Sequence, residues 1–194
     1  MLKEILSDFR RLGLKSFTKT FLTNPGFQYL VLWRICKHVR VYLLLKYTIY
    51  PLLRLLLHDC SVVYGIDIPL DTEIGRGFYI GHHGCIIVNP KTVIGNNCNI
   101  SHDVTIGEKF GGYHPGVPVI GDNVYIGPGA KIIGRVYVGD NACIGAGSVV
   151  IRDVPYKSVV AGNPARVISR KGSGDYIKNT VPDEAGAMPM VQAG

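Results

Sequence analysis

The chain has 194 residues, 47% of them hydrophobic, so it can bury one substantial core and is not an unfolded polar chain. Its 24 glycines and 11 prolines, against six phenylalanines and one tryptophan, favour a turn-rich β architecture over a helical bundle. The net charge of +7 belongs to residues 1–60, since ten Lys/Arg and three Asp/Glu lie there and the remainder is balanced.

The cysteines indicate a reducing compartment. They are odd in number, scattered, and include no C-x-x-C pair: Cys36, Cys60, Cys85, Cys98 and Cys143. This pattern argues against a disulfide framework and a zinc site. Without a recognisable signal peptide, we expect a cytoplasmic protein, with the inner face of the membrane as a further option.

Residues 1–60 are predicted to form an N-terminal helical segment. In "FQYLVLWRICKHV", apolar residues suit one helix face, and basic residues spaced by three predict a stripe on the other: Arg34, Lys37 and Arg40. Pro51 is expected to break or kink a second helix. Charged residues interrupt each apolar run before the roughly 18 residues that span a bilayer. The segment either docks on an anionic membrane as a peripheral surface or packs on the rest of the chain, and we favour packing.

From residue 68 the pattern changes to a period of six. Each unit has an aliphatic residue, then a turn glycine, with a small or β-branched residue two positions before the aliphatic one. The aliphatic positions are Ile68, Ile74, Ile80, Ile86, Val88, Ile94, Ile100, Ile106, Ile120, Ile126, Ile132, Val138, Ile144 and Val150, and Phe78 is a misfit at a small-residue position. One such unit cannot bury its own apolar side chain, but stacked coils can, so residues 61–168 are predicted to form a parallel β-helix.

Two interruptions and a tail complete the pattern. The register slips by two residues between Ile86 and Val88, and residues 107–119 break it altogether, which predicts an excursion loop. Residues 169–194 are predicted to form a flexible C-terminal tail.

Three stretches carry a resemblance to a known family: "DIPLDTEIGRGFYIGHH", "VTIGEKFGGYHPGVPVIGDNVYIGPGAKIIG" and "IGAGSVVIRDVPYKSVVAGNPARVI". They resemble the hexapeptide-repeat acyltransferases, in the branch of serine acetyltransferases and related surface-polysaccharide O-acetyltransferases. The resemblance implies a mainly β fold, a left-handed parallel β-helix, assembled as a homotrimer or a dimer of trimers. It also implies acetyl-CoA as acyl donor. The histidines are spread over separate coils and a loop, so we expect no metal site, and we expect no nucleic-acid partner.

Carried over residue by residue, the resemblance places the catalytic histidine at His82, with Asp67 fifteen residues earlier as its partner. The histidine of the family's loop motif falls on His114. The residues implied near the coenzyme are Gly107, Pro128, Ala146 and Gly147 at the thioester and pantetheine, and Arg166 at the nucleotide end. Alternatively, Asp67 is a turn residue and His114 a solvated loop residue.

Two departures from the family bear on the acceptor. Tyr113 stands where serine enzymes usually have an arginine suited to a carboxylate, and Gly81 where they have an acidic residue suited to an ammonium. A free amino acid would lose both charge partners, so a saccharide hydroxyl is favoured. The alternatives are a serine O-acetyltransferase and a non-catalytic hexapeptide scaffold.

The chemistry requires a base that removes a hydroxyl proton. A neutral imidazole suits this role, which we assign to His82, with Asp67 fixing its tautomer. His83 should point away from His82 if the strand is regular. His102 in "NISHDVTIG" should lie one coil along on the same face, where it binds donor or acceptor, or is itself the base as in related sugar N-acetyltransferases.

Overall fold

The computed structural model describes residues 1–182. The helices come first: α1 Leu2–Arg11, α2 Phe17–Thr23, α3 Pro25–Val39, α4 Leu43–Thr48 and α5 Tyr50–Tyr64. Fifteen strands follow: β1 Ile66–Asp67, β2 Glu73–Ile74, β3 Tyr79–Ile80, β4 Ile86–Val88, β5 Val93–Ile94, β6 Asn99–Ile100, β7 Thr105–Gly107, β8 Val119–Ile120, β9 Tyr125–Ile126, β10 Lys131–Ile133, β11 Tyr137–Val138, β12 Cys143–Ile144, β13 Val149–Val150, β14 Val159–Gly162 and β15 Ala165–Ser169. The expected helical segment before a β region is confirmed.

The strands form three sheets, and the chain passes from one sheet to the next in a regular order. The first sheet has the order β1-β4-β7-β10-β13, the second β11-β8-β5-β2, and the third β15-β14-β12-β9-β6-β3. All pairs are parallel except the terminal hairpin of β14 and β15. From β1 to β10, each strand pairs with the one three positions further along, so three consecutive strands make one turn of a three-sided coil.

The interior of the coil is built from the aliphatic residues of the period of six. Thirteen of the fourteen are buried, and Ile74 is half-buried. Val88 pairs with Ile106, while Ile86 pairs with Ile66. The slip in register is therefore a turn lengthened by two residues, and this turn carries the adjacent histidines.

One corner of the coil is closed by a ladder of asparagine and aspartate side chains. Backbone N–H groups donate to the side-chain oxygen one coil along, from Arg76 to Asn96 (2.9 Å), from Asn96 to Asp122 (2.5 Å) and from Asp122 to Asp140 (2.8 Å). The next residue of three of these turns has positive φ: Asn97, Asn123 and Asn141. Asparagine tolerates that conformation, which explains the recurring Gly-Asn-Asn and Gly-Asp-Asn sequences.

Buried polar contacts dock the helices on the first coil. Arg34 is 4% exposed, contacts Asp8 at 3.0 Å, and donates to the carbonyls of Ile74 and Gly75. The Nζ of Lys37 donates to the carbonyl of Thr72. The expectation of a basic stripe facing away from the core is therefore wrong for these two residues, because strand-end carbonyls need donors there.

Two further expectations for the N-terminal segment are resolved. Pro51 lies in the first turn of α5, directly after α4 ends at Thr48, so it separates two helices as predicted. No helix within residues 1–182 is long and apolar enough to cross a membrane.

Part of the predicted flexible tail is packed against the coil. The side chain of Asn97 exchanges two hydrogen bonds with the backbone of Val181, and the ring of Tyr176 stacks on that of Tyr125 at 4.4 Å. Ser173 is buried and donates to the carbonyl of Asn123 at 2.6 Å. Residues 171–182 are therefore packed rather than flexible, because the side chains of corner asparagines form hydrogen bonds with the backbone of this segment. Residues 183–194 of the predicted tail lie outside the described residues.

Candidate active site

The candidate site lies along one corner of the coil, where the chain passes from a third-sheet strand to a first-sheet strand. We call residues 81–85, 101–104, 127–130 and 145–148, which form these four stacked turns, the histidine corner. The second residue of each turn is, in successive coils, His82, His102, Pro128 and Ala146. The strand register therefore brings together four residues that the sequence analysis assigned to one site.

His82 and His102 face each other along this corner. Ile80 pairs with Ile100, and each histidine follows its isoleucine by two residues. Their ring centroids are 5.9 Å apart with the planes at 79°, and both side chains are exposed. His83 instead contacts the ring of Tyr64 on α5 at 5.7 Å. The corner thus contains two accessible imidazoles that can exchange protons with a bound molecule.

A charged pair beside His102 had no assigned role in the sequence analysis. Lys131 Nζ contacts Asp103 Oδ1 at 2.8 Å and also donates to the carbonyl of Asp103 at 2.6 Å. Asp103 follows His102 directly, and Lys131 begins the first-sheet strand of the next coil. The hexad pattern could have predicted this pair. Lys131 is the register partner of Thr105, and Asp103 lies only two residues before Thr105.

Small residues leave the far end of the corner open. Gly129 N–H donates to the carbonyl of His102 at 3.0 Å, and Gly147 N–H donates to that of Pro128 at 2.8 Å. Ala146 and Gly147 are exposed, and a Cβ at Gly147 would meet no atom within 4 Å. The open surface at Ala146 and Gly147 is compatible with the donor residues assigned at positions 128, 146 and 147.

Asp67 and Gly81, which the sequence analysis assigned to the site, make no hydrogen bond to the side chain of His82 within the described residues. Asp67 is exposed on β1, next to Ile87 in the first sheet. Among residues 1–182, Asp67 makes no hydrogen bond to His82. Gly81 donates its N–H to the carbonyl of Ile100 at 3.1 Å and adds no charge to the site. The pairing of His82 with Asp67 therefore stays a proposal.

The excursion loop begins at a different corner of the coil. Gly107 ends β7, and its carbonyl accepts a hydrogen bond from Gly134. His114 has a φ of +57° and is exposed, and Tyr113 is 88% exposed with its carbonyl bound by Lys109 Nζ at 2.7 Å. Within one chain, loop and histidine corner are thus separate surfaces.

The remaining assigned residue, Arg166, lies on another element, and Cys98 is buried. Arg166 is exposed on β15, where its guanidinium binds the carbonyl of Ala165. Burial raises the pKa of Cys98 to about 12, which makes its thiol a poor nucleophile. Within residues 1–182, no three His, Cys, Asp or Glu side chains are placed to hold a metal ion.

Comparison with known proteins identifies the family. The sequence profile of the family "Bacterial transferase hexapeptide (six repeats)" matches residues 118–152. The serine acetyltransferase of Synechococcus elongatus is 34% identical over 180 residues, which cover 89% of this chain and 70% of that enzyme. The chain belongs to the serine acetyltransferase-like branch of the hexapeptide-repeat acyltransferases.

Solved structures of this family agree with the fold. The Brucella abortus serine acetyltransferase in complex with coenzyme A superposes with a TM-score of 0.72 at 30% identity, over 88% of this chain and 67% of that one. The Neisseria gonorrhoeae enzyme in complex with serine gives 0.69 at 34% identity, over 85% of this chain and 68% of that one. This member of the family is an acetyl-CoA-dependent acyltransferase, as the sequence analysis predicted.

Proposed function

We propose that this acyltransferase transfers the acetyl group of acetyl-CoA to the hydroxyl of L-serine, with His82 as general base. The observation that carries the proposal is the exposed His82–His102 pair at the head of an open column of small residues. The relatives named serine acetyltransferase, one of them bound to serine, support this acceptor over the saccharide that the sequence analysis placed first.

The proposed chemistry needs no covalent intermediate. A neutral His82 accepts the hydroxyl proton while the acceptor oxygen attacks the thioester carbon. Backbone N–H groups at the glycine-rich corner stabilise the oxyanion. Asp67 is proposed to orient His82 and stabilise its imidazolium once substrate is bound, since hydrogen bonds of catalytic groups often tighten only in the complex.

A neutral saccharide hydroxyl is the second candidate acceptor, favoured by the surroundings of the site. Gly81 and Tyr113 provide no charged partner for the ammonium and carboxylate of an amino acid. Tyr113 and Phe110 on the excursion loop are 88% and 86% exposed, and such flat apolar rings pack well on sugars.

The test compares kcat/KM for L-serine with that for simple sugars and nucleotide sugars, measured as thiol release corrected for hydrolysis. We expect serine to be the better acceptor, and a double variant Gly81→Asp/Tyr113→Arg to improve it further by restoring charge partners. A clear preference for sugars, with no gain for serine in the double variant, would transfer the proposal to the saccharide. A scaffold without catalytic activity predicts no thiol release with any acceptor.

We also propose a left-handed coil and a homotrimer, or a dimer of trimers, as the assembled form. Apolar side chains next to the first sheet support an association surface, since Val62 and Val63 of α5 are 69% and 74% exposed and Ile87 is 51% exposed. In such an assembly the excursion loop of one copy would reach the histidine corner of the next. Light scattering should give a mass of three or six chains.

Peripheral membrane association is the other proposed use of the N-terminal helices, at a cytoplasmic membrane face. Leu43, Leu44 and Leu52 are 74%, 77% and 61% exposed, with Lys46 and Arg54 also exposed among them. Flotation with phosphatidylglycerol vesicles, compared with a Lys46→Glu/Arg54→Glu variant, tests this role; equal flotation of both proteins would remove it.

A further inference from the structure

The two histidines of the site are fixed in neighbouring coils by strand pairing. Ile80 of β3 and Ile100 of β6 are register partners, and each is followed two residues later by a histidine. The two rings are 5.9 Å apart between centroids, and both are exposed. The rings are too far apart for a direct hydrogen bond, but one water molecule between them can carry a proton from one imidazole to the other.

His102 lies on the donor side of His82. Its carbonyl accepts the N–H of Gly129, and Pro128 and Ala146 occupy the equivalent turn positions in the next two coils. The small residues proposed to line the pantetheine arm therefore begin directly beyond His102. A thioester placed at the end of that column would have its sulfur nearer to His102 than to His82.

This inference rests on the acetyl transfer proposed above, whose two ends need different proton carriers. The acceptor hydroxyl must lose a proton, and the departing coenzyme sulfur must gain one. We propose that His82 is the base for the hydroxyl and that His102 is the acid that protonates the leaving thiolate.

The step is balanced. The acceptor oxygen bonds to the acetyl carbon while its proton passes to neutral His82. The carbon–sulfur bond then breaks, its electron pair remains on sulfur, and the thiolate takes a proton from the His102 imidazolium. Transfer of the proton from His82 back to His102 restores the starting state, so the enzyme gains neither a proton nor an electron.

The charged groups around His102 fit a pair that holds one proton. Asp103 is engaged with Lys131 at 2.8 Å, and within the described residues no carboxylate is hydrogen-bonded to the His102 ring. His82 is therefore the titratable neighbour that most directly senses a charge on His102. Two positively charged imidazoles at this distance would repel each other, which favours a pair in which one ring is charged and the other is neutral.

The test measures the pH dependence of kcat/KM for acetyl-CoA in the unaltered protein, in His102→Gln and in His83→Gln. The last is a matched control, because His83 is adjacent in sequence but contacts Tyr64. We expect a bell-shaped profile for the unaltered protein and for the control. His102→Gln should be about 10- to 100-fold slower at the optimum, a modest loss since a thiolate leaves readily, and should lack the fall at high pH.

A second acyl donor distinguishes a role of His102 as an acid from a role in positioning the substrate. With the acetyl thioester of an aromatic thiol, whose thiolate leaves without a proton, the defect of His102→Gln should largely disappear. The inference is overturned if His102→Gln retains the full bell-shaped profile, or if its defect is equal with both donors. If the unaltered protein does not use the aromatic thioester, the pH profile of His102→Gln alone decides the test.

Failure of the proposed function has a different outcome. If the unaltered protein releases no thiol from acetyl-CoA with any acceptor, both proposals fall. If it does so and His102→Gln is as fast as His83→Gln, only the role of His102 falls. Equal melting temperatures of the three proteins would show that differences in rate do not arise from unfolding.

Discussion

Adjacent histidines in this chain have different surroundings because of the turn that holds them. The chain takes eight residues from Ile80 to Val88, against six between their register partners Ile100 and Ile106, and in this longer turn Gly84 has a φ of +112° and Cys85 one of +53°. His82 consequently faces the next coil, whereas His83 contacts an aromatic ring of α5. A neighbouring position in sequence therefore does not imply a shared role.

The five cysteine thiols differ in accessibility. Cys85 is the exposed thiol, whereas burial raises the pKa of Cys36 to about 11 and that of Cys98 to about 12. Burial also raises the pKa of Cys60 and Cys143. At pH 8 we expect one thiol to react rapidly with a disulfide reagent, followed by the others on unfolding. Cys85→Ser should remove the rapid phase, and a persistent rapid phase would contradict this picture.

At the scale of elements, α1 is joined to the coil through a buried carboxylate. Asp8 is 1% exposed, contacts Arg34, and accepts the N–H of Phe78 at 2.9 Å. Phe78, the misfit of the hexad pattern, is fully buried beneath these helices. The larger side chain fits because the first coil has helices rather than another coil against it.

The buried Asp8 predicts a pH dependence of stability. Burial raises the pKa of Asp8 from 3.8 to about 6, although Arg34 and the Phe78 N–H favour the charged form. Between about pH 4 and 6 the folded state keeps a proton that the unfolded state loses, so this group lowers the free energy of unfolding as pH rises. Asp8→Asn should remove this contribution to the slope, measured by urea unfolding across that range.

The matched control is Asp59→Asn, since Asp59 is exposed on α5. Asp8→Asn should also be less stable at pH 7, because Arg34 loses its buried partner. An unchanged pH slope in Asp8→Asn would contradict the role given to its burial.

At the scale of the whole molecule, the features that repeat along the chain were predictable and the unique contacts were not. The period of six identified the buried ladder and placed His82 and His102 one coil apart, because every coil repeats the same inward and corner positions. The docking of Arg34 on Asp8 and the packing of Val181 on Asn97 join residues far apart in sequence. No periodic signal announces such pairs, and periodicity does not reveal the hand of the coil.

The central claim is that the histidine corner performs acetyl transfer with His82 as base. The most direct measurement is the kcat of His82→Ala with acetyl-CoA and the preferred acceptor, beside its affinity for coenzyme A. We predict a kcat lower by roughly two to four orders of magnitude, the range for loss of a general base, with coenzyme A affinity nearly unchanged. Retained turnover in His82→Ala, together with abolished turnover in His102→Ala, would contradict the account and place the base one coil further along.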